Sequence, residues 1–514
     1  MSSTGTVART DEDGARVGIR GWAALVVLML PVLLVSIDNT VLAFALPEIS
    51  LALQPSGTEQ LWIIDVYSLV LAGLLVTMGV LGDRFGRRRM LLIGAIGFAA
   101  VSVLAAFAPT AGLLIAARAA LGLFGAMLMP STLSLLRSIF RNRDQRRLAI
   151  AIWASAFSAG SALGPVVGGF LLEHFAWGAV FLVAVPVLVP LLVGGMWLLP
   201  ESRDPNPGRI DPLGILLSMA ALVPIVFAIK SFSVDGPNLA AAALFAAGIV
   251  AGFLFVRRMR RVEIPMLDMT LFRRGGFSGA IIVNLLSVVA LVGFLYFVSQ
   301  QLQLVIGMSP MVAGLALVPG MAAMIVAGLC VVPISRRVAP HIVVPLGLLL
   351  STLGYVIVAA TANLNSVIWL LIAFIVLGIG IGAAETISNE LILAHAPAEK
   401  AGAASAVSET AYELGAVLGT AVLGGIITAF YRGALVIPDG VPSAIAMHAR
   451  ETLAGAYTAA QQLPERLGAA LWDAAAAAFG SGVVTTSIIG AGLVLCAVIV
   501  GFVTLRPARG DTQR

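Results

Sequence analysis

Long apolar runs and short polar stretches alternate along the whole chain. Apolar windows of about 20 residues, the length that crosses a bilayer as an α-helix, occur fourteen times. They begin near Trp22, Gln60, Met90, Gly112, Leu148, Trp177, Asp211, Asn238, Phe277, Pro310, His341, Ser366, Gly402 and Ser481. The pattern predicts an all-α polytopic membrane protein with fourteen transmembrane helices, numbered helix 1 to helix 14.

The composition agrees with this prediction. Of 514 residues, 60% are hydrophobic and 11% are charged, and the mean hydropathy is +1.02, whereas soluble domains average about 25% charged residues. Cys330 and Cys496 both lie in apolar runs, so the sequence indicates neither a disulfide framework nor a metal site. The four histidines fall in loops or at helix ends, which argues against a buried histidine relay.

The basic residues predict the topology. The net charge is +5, but Lys and Arg stand in short blocks between apolar runs, where they act as topology signals and not as a nucleic-acid surface. Of the 31, 26 lie in the two tails or in loops after even-numbered helices, and three lie in one loop on the opposite side. We therefore expect a multi-pass protein of the bacterial cytoplasmic membrane with both termini in the cytoplasm.

The helices divide as six, two and six. A proline-rich polar break follows helix 6 and a basic stretch follows helix 8, so helices 7 and 8 look like an inserted pair. We predict cytoplasmic tails at 1–21 and 506–514, six-helix bundles at 22–200 and 277–505, and a linker with the inserted pair at 201–276. A glycine-rich stretch of helix 5 has an echo in helix 13, which supports two related halves around a central cavity.

A long stretch between helices 13 and 14, at 431–480, faces the outside in this topology. Its Ala-rich halves, interrupted around Gln461 to Pro464, predict a helical hairpin over the outer opening. The sequence leaves open whether this hairpin gates the opening or only caps the structure.

Helix 1 carries a carboxylate, Asp38, inside an apolar run. An ionisable group in the hydrocarbon core costs about 2.5 to 3.5 kcal/mol on insertion scales, so such a group usually has a function. At about 1.5 Å per residue from Trp22, Asp38 lies about 24 Å along the helix, on the outer side of the midplane. Two interpretations are open: a structural carboxylate bonded to Ser36, Asn39 or Thr40, and a carrier that exchanges protons with the outside.

Helix 2 carries Trp62 and Asp65 on one face near its outer end, since they are three residues apart. One interpretation is an interfacial tryptophan beside a solvated carboxylate. The other is an aromatic and acidic patch that binds a lipophilic cation, in which a cation–π contact contributes about 0.5 to 2 kcal/mol.

Helices 12 and 13 carry a second set of carboxylates. Glu409 and Glu413 stand four residues apart on one face of helix 13, where their mutual repulsion favours the binding of a proton, and Glu385 lies on helix 12. One interpretation is solvated groups near the cytoplasmic end, and the other is contact with a substrate cation or proton exchange. Asn284 and Tyr296 of helix 9 are polar groups placed to line the cavity or its outer rim.

The loop between helices 2 and 3 has the sequence GDRFGRRR, which starts at Gly82. Gly82 and Gly86 permit a tight turn, and Asp83 is placed to pair with a helix end or an arginine. Arg84 and Arg87 hold the cytoplasmic face.

This loop resembles the signature of the major facilitator superfamily at nearly every defining position. Three further stretches are similar to motifs of its fourteen-helix drug:proton antiporters, the group that includes QacA. They are Asp38 to Pro47 in helix 1, Arg118 to Ala126 in helix 4 and Gly160 to Gly169 in helix 5. The resemblance covers essentially the whole chain, and the helix 5 motif is the one that separates exporters from importers.

The resemblance implies roles for further residues. It implies that Arg118 takes part in proton handling, while a structural ion pair is the alternative, since a buried guanidinium needs a carboxylate, a carbonyl or a wet cavity. Gly164 and Pro165 either pack helices closely or also bend helix 5 at a cytoplasmic or central closure. The expected gate consists of these two residues and five from the loop, namely Gly82, Asp83, Arg84, Gly86 and Arg87. Two departures are the Leu121 that stands where the helix 4 motif usually has Gln, and a second-half loop without an acidic residue, so that a gate lock rests on Asp83.

The resemblance implies a major facilitator fold and a proton-coupled multidrug efflux antiporter. The expected substrates are lipophilic cations such as dyes and quaternary ammonium antiseptics, with fluoroquinolones as a further candidate. The residues expected to couple protons are Asp38, Arg118 and Glu409, and those expected to bind substrate are Trp62, Asp65, Asn284, Tyr296, Glu385, Glu409 and Glu413. The expected partners are these small molecules, protons and the lipid bilayer, with no nucleic acid, and the chain is expected to be a monomer.

Other functions fit the sequence less well. Neither lysine follows a glycine and no phosphate-cradling loop occurs, so ATP hydrolysis, an enzyme activity and a cofactor are not expected. Export of an endogenous lipid or metabolite by the same fold is the main alternative. A sensor or scaffold without transport is disfavoured, because the acidic groups are distributed across the membrane.

Overall fold

The computed structural model describes residues 17–203, 211–236, 238–262, 265, 269–335, 337–362, 366–395 and 401–505. Most of the predicted tails and part of the polar break after helix 6 lie outside these residues. Within them every regular element is helical, and fourteen helices are long and apolar enough to cross a membrane. The predicted all-α polytopic architecture is therefore confirmed.

The helices follow one another with short connections. They are α1 (Ile19–Leu53), α2 (Gly57–Phe85), α3 (Arg87–Ala106), α4 (Ala111–Ile139), α5 (Arg143–His174), α6 (Ala179–Leu198), α7 (Pro212–Asp235), α8 (Leu239–Met259), α9 (Gly275–Val305), α10 (Pro310–Ser335), α11 (Pro340–Thr361), α12 (Val367–Ala394), α13 (401–434), α14 (Ser443–Glu451), α15 (Leu453–Gln461) and α16 (Glu465–Thr504). Helices 1 to 13 of the sequence are α1 to α13, and helix 14 is the second half of α16.

The predicted hairpin has a different form. Its first half is two short helices, α14 and α15, and the chain breaks again at the predicted place, after Gln461. Its second half is not a separate element, because α16 runs for 40 residues from Glu465 into the last span. The predicted start at Ser481 was wrong, since the Ala-rich stretch before it propagates a helix without an apolar signal.

The membrane spans have two distinct ends. The last residues of α2, α4, α6 and α8 lie at one end, the basic side, and the segment 435–464 lies at the other, the hairpin side. Buried apolar side chains form two large clusters, one within α1–α6 and one mainly within α9–α16. Packing within each cluster pairs α1 with α5 and α2 with α4, and α12 with both α10 and α11.

The pair α7 and α8 packs outside these clusters. Asp211 caps α7 by accepting a hydrogen bond from Gly214 N at 3.0 Å, and it pairs with Arg258 of α8 at 2.7 Å. The Arg258 guanidinium holds the pKa of this carboxyl below its usual value. Toward the other end α7 contacts both α2 and α13, and Val226 is buried between Leu69 and Val417. Helix α7 therefore lies against the junction of the two clusters.

Helices α9 and α13 both contain a π-helical turn, at Gln301–Val305 and Gly419–Gly424. Such turns are rare and occur frequently at functional sites, because they shift side chains relative to the regular helix. The turn in α13 carries Thr420, which lines the central cavity described next.

Candidate transport site

Asp38 and Arg118 form a buried ion pair in the first cluster. Arg118 Nη1 lies 2.6 Å from Asp38 Oδ2, and the two residues are 1% and 7% exposed. Arg118 Nε also donates to the carbonyl oxygen of Ile63 at 3.2 Å, and the guanidinium lies 4.5 Å from the centre of the Tyr67 ring. One guanidinium thus connects α4 to α1 and α2. Of the partners expected for a buried arginine, Arg118 has both a carboxylate and a carbonyl oxygen.

The hydroxyl groups next to Asp38 bond elsewhere. Ser36 Oγ donates to the carbonyl oxygen of Phe157 at 2.5 Å, and Thr40 Oγ1 donates to that of Ser36 at 3.2 Å. The interpretation in which Asp38 is held by its own neighbours is therefore wrong for Ser36 and Thr40. The side chain of Asp38 instead accepts a hydrogen bond from Arg118.

Asp65 is also buried and paired. It is 1% exposed, and its Oδ2 lies 2.9 Å from the Nζ atom of Lys230 on α7, which is fully buried. The same ammonium lies 3.8 Å from the centre of the Trp62 ring. The solvated carboxylate that the sequence allowed is therefore excluded. Trp62 and Asp65 do form an aromatic and acidic patch, and the cation on it is the chain's own lysine.

The glutamates of α13 and α12 form a separate group of carboxylates. Glu413 is fully buried, and its Oε1 accepts a hydrogen bond from Asn39 of α1 at 3.2 Å. Glu409 and Glu385 are half-buried. Across the described residues, no salt bridge joins any of these three glutamates to a basic side chain. A solvated explanation therefore fails for Glu413.

Asn284 and Tyr296, both on α9, lie in different surroundings. Tyr296 is 2% exposed and lines the central cavity. Asn284 is about 18 Å away along the helix, where its Nδ2 donates to Asn389 Oδ1 of α12 at 3.1 Å. Ser408 Oγ of α13 donates to the same oxygen at 2.7 Å. The structure therefore places Asn284 in a contact between helices, apart from Tyr296.

A central cavity lies between the two clusters. Its lining includes Asn39, Asp65 and Arg118 from the first and Tyr296, Tyr412 and Thr420 from the second. Its water-accessible volume is about 30 Å³, enough for one or two water molecules, whereas drug-sized ligands need roughly 300 to 1,000 Å³. This conformation has no room for a drug at the centre, so binding there requires the helices or side chains to move.

The predicted gate loop is held by its own charges and by the α6–α7 connection. Arg87 pairs with Asp83 at 2.8 Å, and its backbone N–H donates to the carbonyl oxygen of Ser202 at 3.0 Å. Gly86 has φ +115°, and a Cβ there would lie 2.7 Å from the carboxylate of Glu201. Position 86 therefore requires glycine, both for its positive φ and for the close approach of Glu201. Gly82 is buried and Arg84 is exposed.

Gly164 and Pro165 bring α5 against two neighbours. A methyl group at Gly164 would overlap Thr40 Oγ1 of α1, and one at Gly314 of α10 would overlap the carbonyl oxygen of Pro165. Since Gly314 is the fifth residue of α10, which begins at the hairpin side, the close approach lies there. Gly164 itself lies against Thr40, which lines the central cavity, and a closure at Pro165 stays a prediction.

Further contacts between the two clusters occur at the hairpin side. Glu173 at the end of α5 accepts hydrogen bonds from Ser309 Oγ at 3.0 Å and from Met311 N at 3.2 Å. Gln54 at the end of α1 donates to Thr458 of α15 at 3.1 Å. These bonds close the hairpin side in this conformation.

Lys230 is the site residue that sequence reasoning missed. The signal was present, because a lysine inside a transmembrane span is by default a functional candidate, yet no role was assigned to it. Tyr412 is a second such residue. Its ring meets that of Phe157 at 5.4 Å and so joins α13 to α5 beside the cavity.

Comparison with known proteins agrees with this geometry. The model of the Major Facilitator Superfamily matches residues 28–420. The chain belongs to the Major Facilitator Superfamily. It is 57% identical to the multidrug efflux pump LfrA of Mycolicibacterium smegmatis over 96% of this chain and 97% of that protein. The predicted family is therefore confirmed.

More distant relatives include a resistance protein and a transporter of known structure. The methyl viologen resistance protein SmvA of Salmonella typhimurium is 37% identical over 90% of this chain and 93% of that protein. A solved bacterial homologue of the lysosomal transporter Spinster is 18% identical, with a TM-score of 0.67, over 96% of this chain and all of that one, which shows the shared fold. The chain is thus a multi-pass bacterial membrane transporter and not an enzyme.

Proposed function

We propose that this superfamily member is a proton-coupled multidrug efflux antiporter that exports lipophilic cations. The observation that carries the proposal is the grouping of buried carboxylates in and next to one central cavity. Asp65 lines the cavity, Asp38 pairs with the lining residue Arg118, and Glu413 of the second cluster accepts a hydrogen bond from the lining residue Asn39. The names of the relatives LfrA and SmvA support the substrate class.

The proposed exchange follows from charge balance. A proton and an organic cation both neutralise a buried carboxylate, and a low-dielectric cavity does not hold both at once without cost. A cation that arrives at Glu409 and Glu413 therefore favours release of their protons, and protons that arrive from the other side favour release of the cation. The two clusters would rock against each other to alternate access, with α7 of the inserted pair at their junction.

The proposed orientation places the basic side in the cytoplasm. The excess of Lys and Arg in the loops of that side supports it. The hairpin side, closed by the bonds of Glu173 and Gln54, would then face outward. We assign the pathway to a monomer, since both halves of the cavity come from one chain.

The test is the substitution Asp38→Asn. The amide oxygen still accepts a hydrogen bond from Arg118, so the variant should fold, but it no longer binds a proton. In everted membrane vesicles that contain equal amounts of protein, we expect proton-driven ethidium transport to be abolished. Undiminished pH-dependent transport by this variant would remove Asp38 from the coupling mechanism.

A further inference from the structure

The ammonium group of Lys230 sits in a complete cation site. It has three kinds of contact: the carboxylate of Asp65 at 2.9 Å, the face of the Trp62 ring at 3.8 Å and the carbonyl oxygen of Leu61 at 3.2 Å. A carboxylate combined with an aromatic face is the arrangement by which proteins recognise organic ammonium ions. The lysine side chain is itself an alkylammonium, so its position shows that this pocket of α2 accepts such a group.

The site is shared between the inserted pair and the transport cavity. Lys230 enters from α7, whereas Asp65 also lines the central cavity from the other side. A second cation in that cavity would thus meet a carboxylate that is already neutralised. The other buried aspartate of this region, Asp38, is paired with Arg118. Lysine differs from arginine because its single point charge lies on a flexible four-carbon stem and makes no bidentate bond.

We propose that Lys230 is a tethered, displaceable occupant of a cation subsite formed by Asp65 and Trp62, and that lipophilic organic cations bind there by replacing it. This inference rests on the proposed function and adds a specificity element to it. The inserted helices set the affinity of the subsite, because they supply the competing charge. Cations with an apolar body, such as quaternary ammonium and phosphonium ions, fit the aromatic face that Lys230 now covers.

Binding of tetraphenylphosphonium to the purified full-length protein tests the proposal. We expect Lys230→Met to bind this cation at least tenfold more tightly than the natural chain, because the competitor is gone. The double variant Lys230→Met with Asp65→Asn should lose that gain. Arg258→Met is the matched control: it removes one positive charge from an ion pair at the far end of the same helix pair, and we expect less than a twofold change.

Equal or weaker binding by a monodisperse Lys230→Met variant would overturn the proposal. If the natural chain still moved ethidium against a pH gradient in that case, the proposed function would stand and only the role of Lys230 would fail. If the tenfold gain occurred without any proton-driven transport, the subsite would stand and the proposed function would fail.

A second measurement uses the natural chain and no substitution. It avoids a side effect of Lys230→Met, which leaves Asp65 as a buried, unpaired charge. Lys230 and Lys400 are the two lysines of the chain, so mass spectrometry resolves their acylation by acetic anhydride separately. We expect saturating tetraphenylphosphonium to increase modification of Lys230 at least threefold relative to Lys400. An unchanged ratio with the cation bound would contradict displacement.

Discussion

Arg118 holds three helices together through one side chain. Its charge is matched by Asp38 on α1, and its Nε–H is satisfied by the carbonyl of Ile63 on α2. A buried ion pair contributes little net stability, but loss of one partner is costly because the other charge stays buried. The pair is therefore a sensitive point for both folding and transport.

This coupling predicts the outcome of a double-mutant cycle. Arg118→Met should lower the free energy of unfolding by roughly 3 to 5 kcal/mol, because Asp38 is left unpaired. Adding Asp38→Asn should restore part of the loss, since it removes the buried charge. Thermal unfolding of the purified variants in one detergent measures the cycle. Strictly additive losses would show that the two residues do not depend on each other.

Individual charged residues were easier to find than their partners. Asp38, Arg118 and the α13 glutamates lie in apolar sequence. Burial of an ionisable group there costs free energy, which indicates that the group has a function. The sequence did not indicate that Asp65 meets Lys230, which is 165 residues away along the chain. In uniformly apolar helices no periodic polar face marks which side meets which neighbour, so tertiary packing alone decides such pairs.

At the scale of elements, the hydrophobic pattern predicted most helices well, because each span must supply about 20 apolar residues. The first thirteen begin within about five residues of the predicted positions. The start of α16 was missed by 16 residues, because Ala-rich helix lies just before the apolar window.

The packing of α5 on α1 gives a prediction about Gly164. Alanine there would overlap Thr40 Oγ1, so Gly164→Ala should destabilise the protein by roughly 1 to 3 kcal/mol, the usual cost of overpacking. Gly492 of α16 is the matched control, because nothing lies within 4 Å of its added methyl group and alanine favours helix there. Thermal unfolding measures both variants. Equal melting temperatures for the two would contradict the close packing.

At the scale of the whole molecule, the closed hairpin side and the small cavity describe one state of a cycle. The contacts of Glu173 and Gln54 join the two clusters at that side, and the central volume of about 30 Å³ is large enough for water but not for a drug. Transport requires these bonds to break and the cavity to widen. The polar breaks and the glycine-rich echo of helix 5 in helix 13 predicted two halves with a cavity between them, whereas the state of that cavity depends on packing that the sequence does not encode locally.

The most direct test of the antiport claim is proton movement driven by a cation. The protein is reconstituted in liposomes with a pH-sensitive dye inside, no pH gradient, and the membrane potential clamped with potassium and valinomycin. When ethidium is added outside, its entry by exchange should make the lumen more alkaline, and the Asp38→Asn variant should give only the response of protein-free liposomes. Protein-dependent ethidium uptake without any change in lumenal pH would contradict proton coupling.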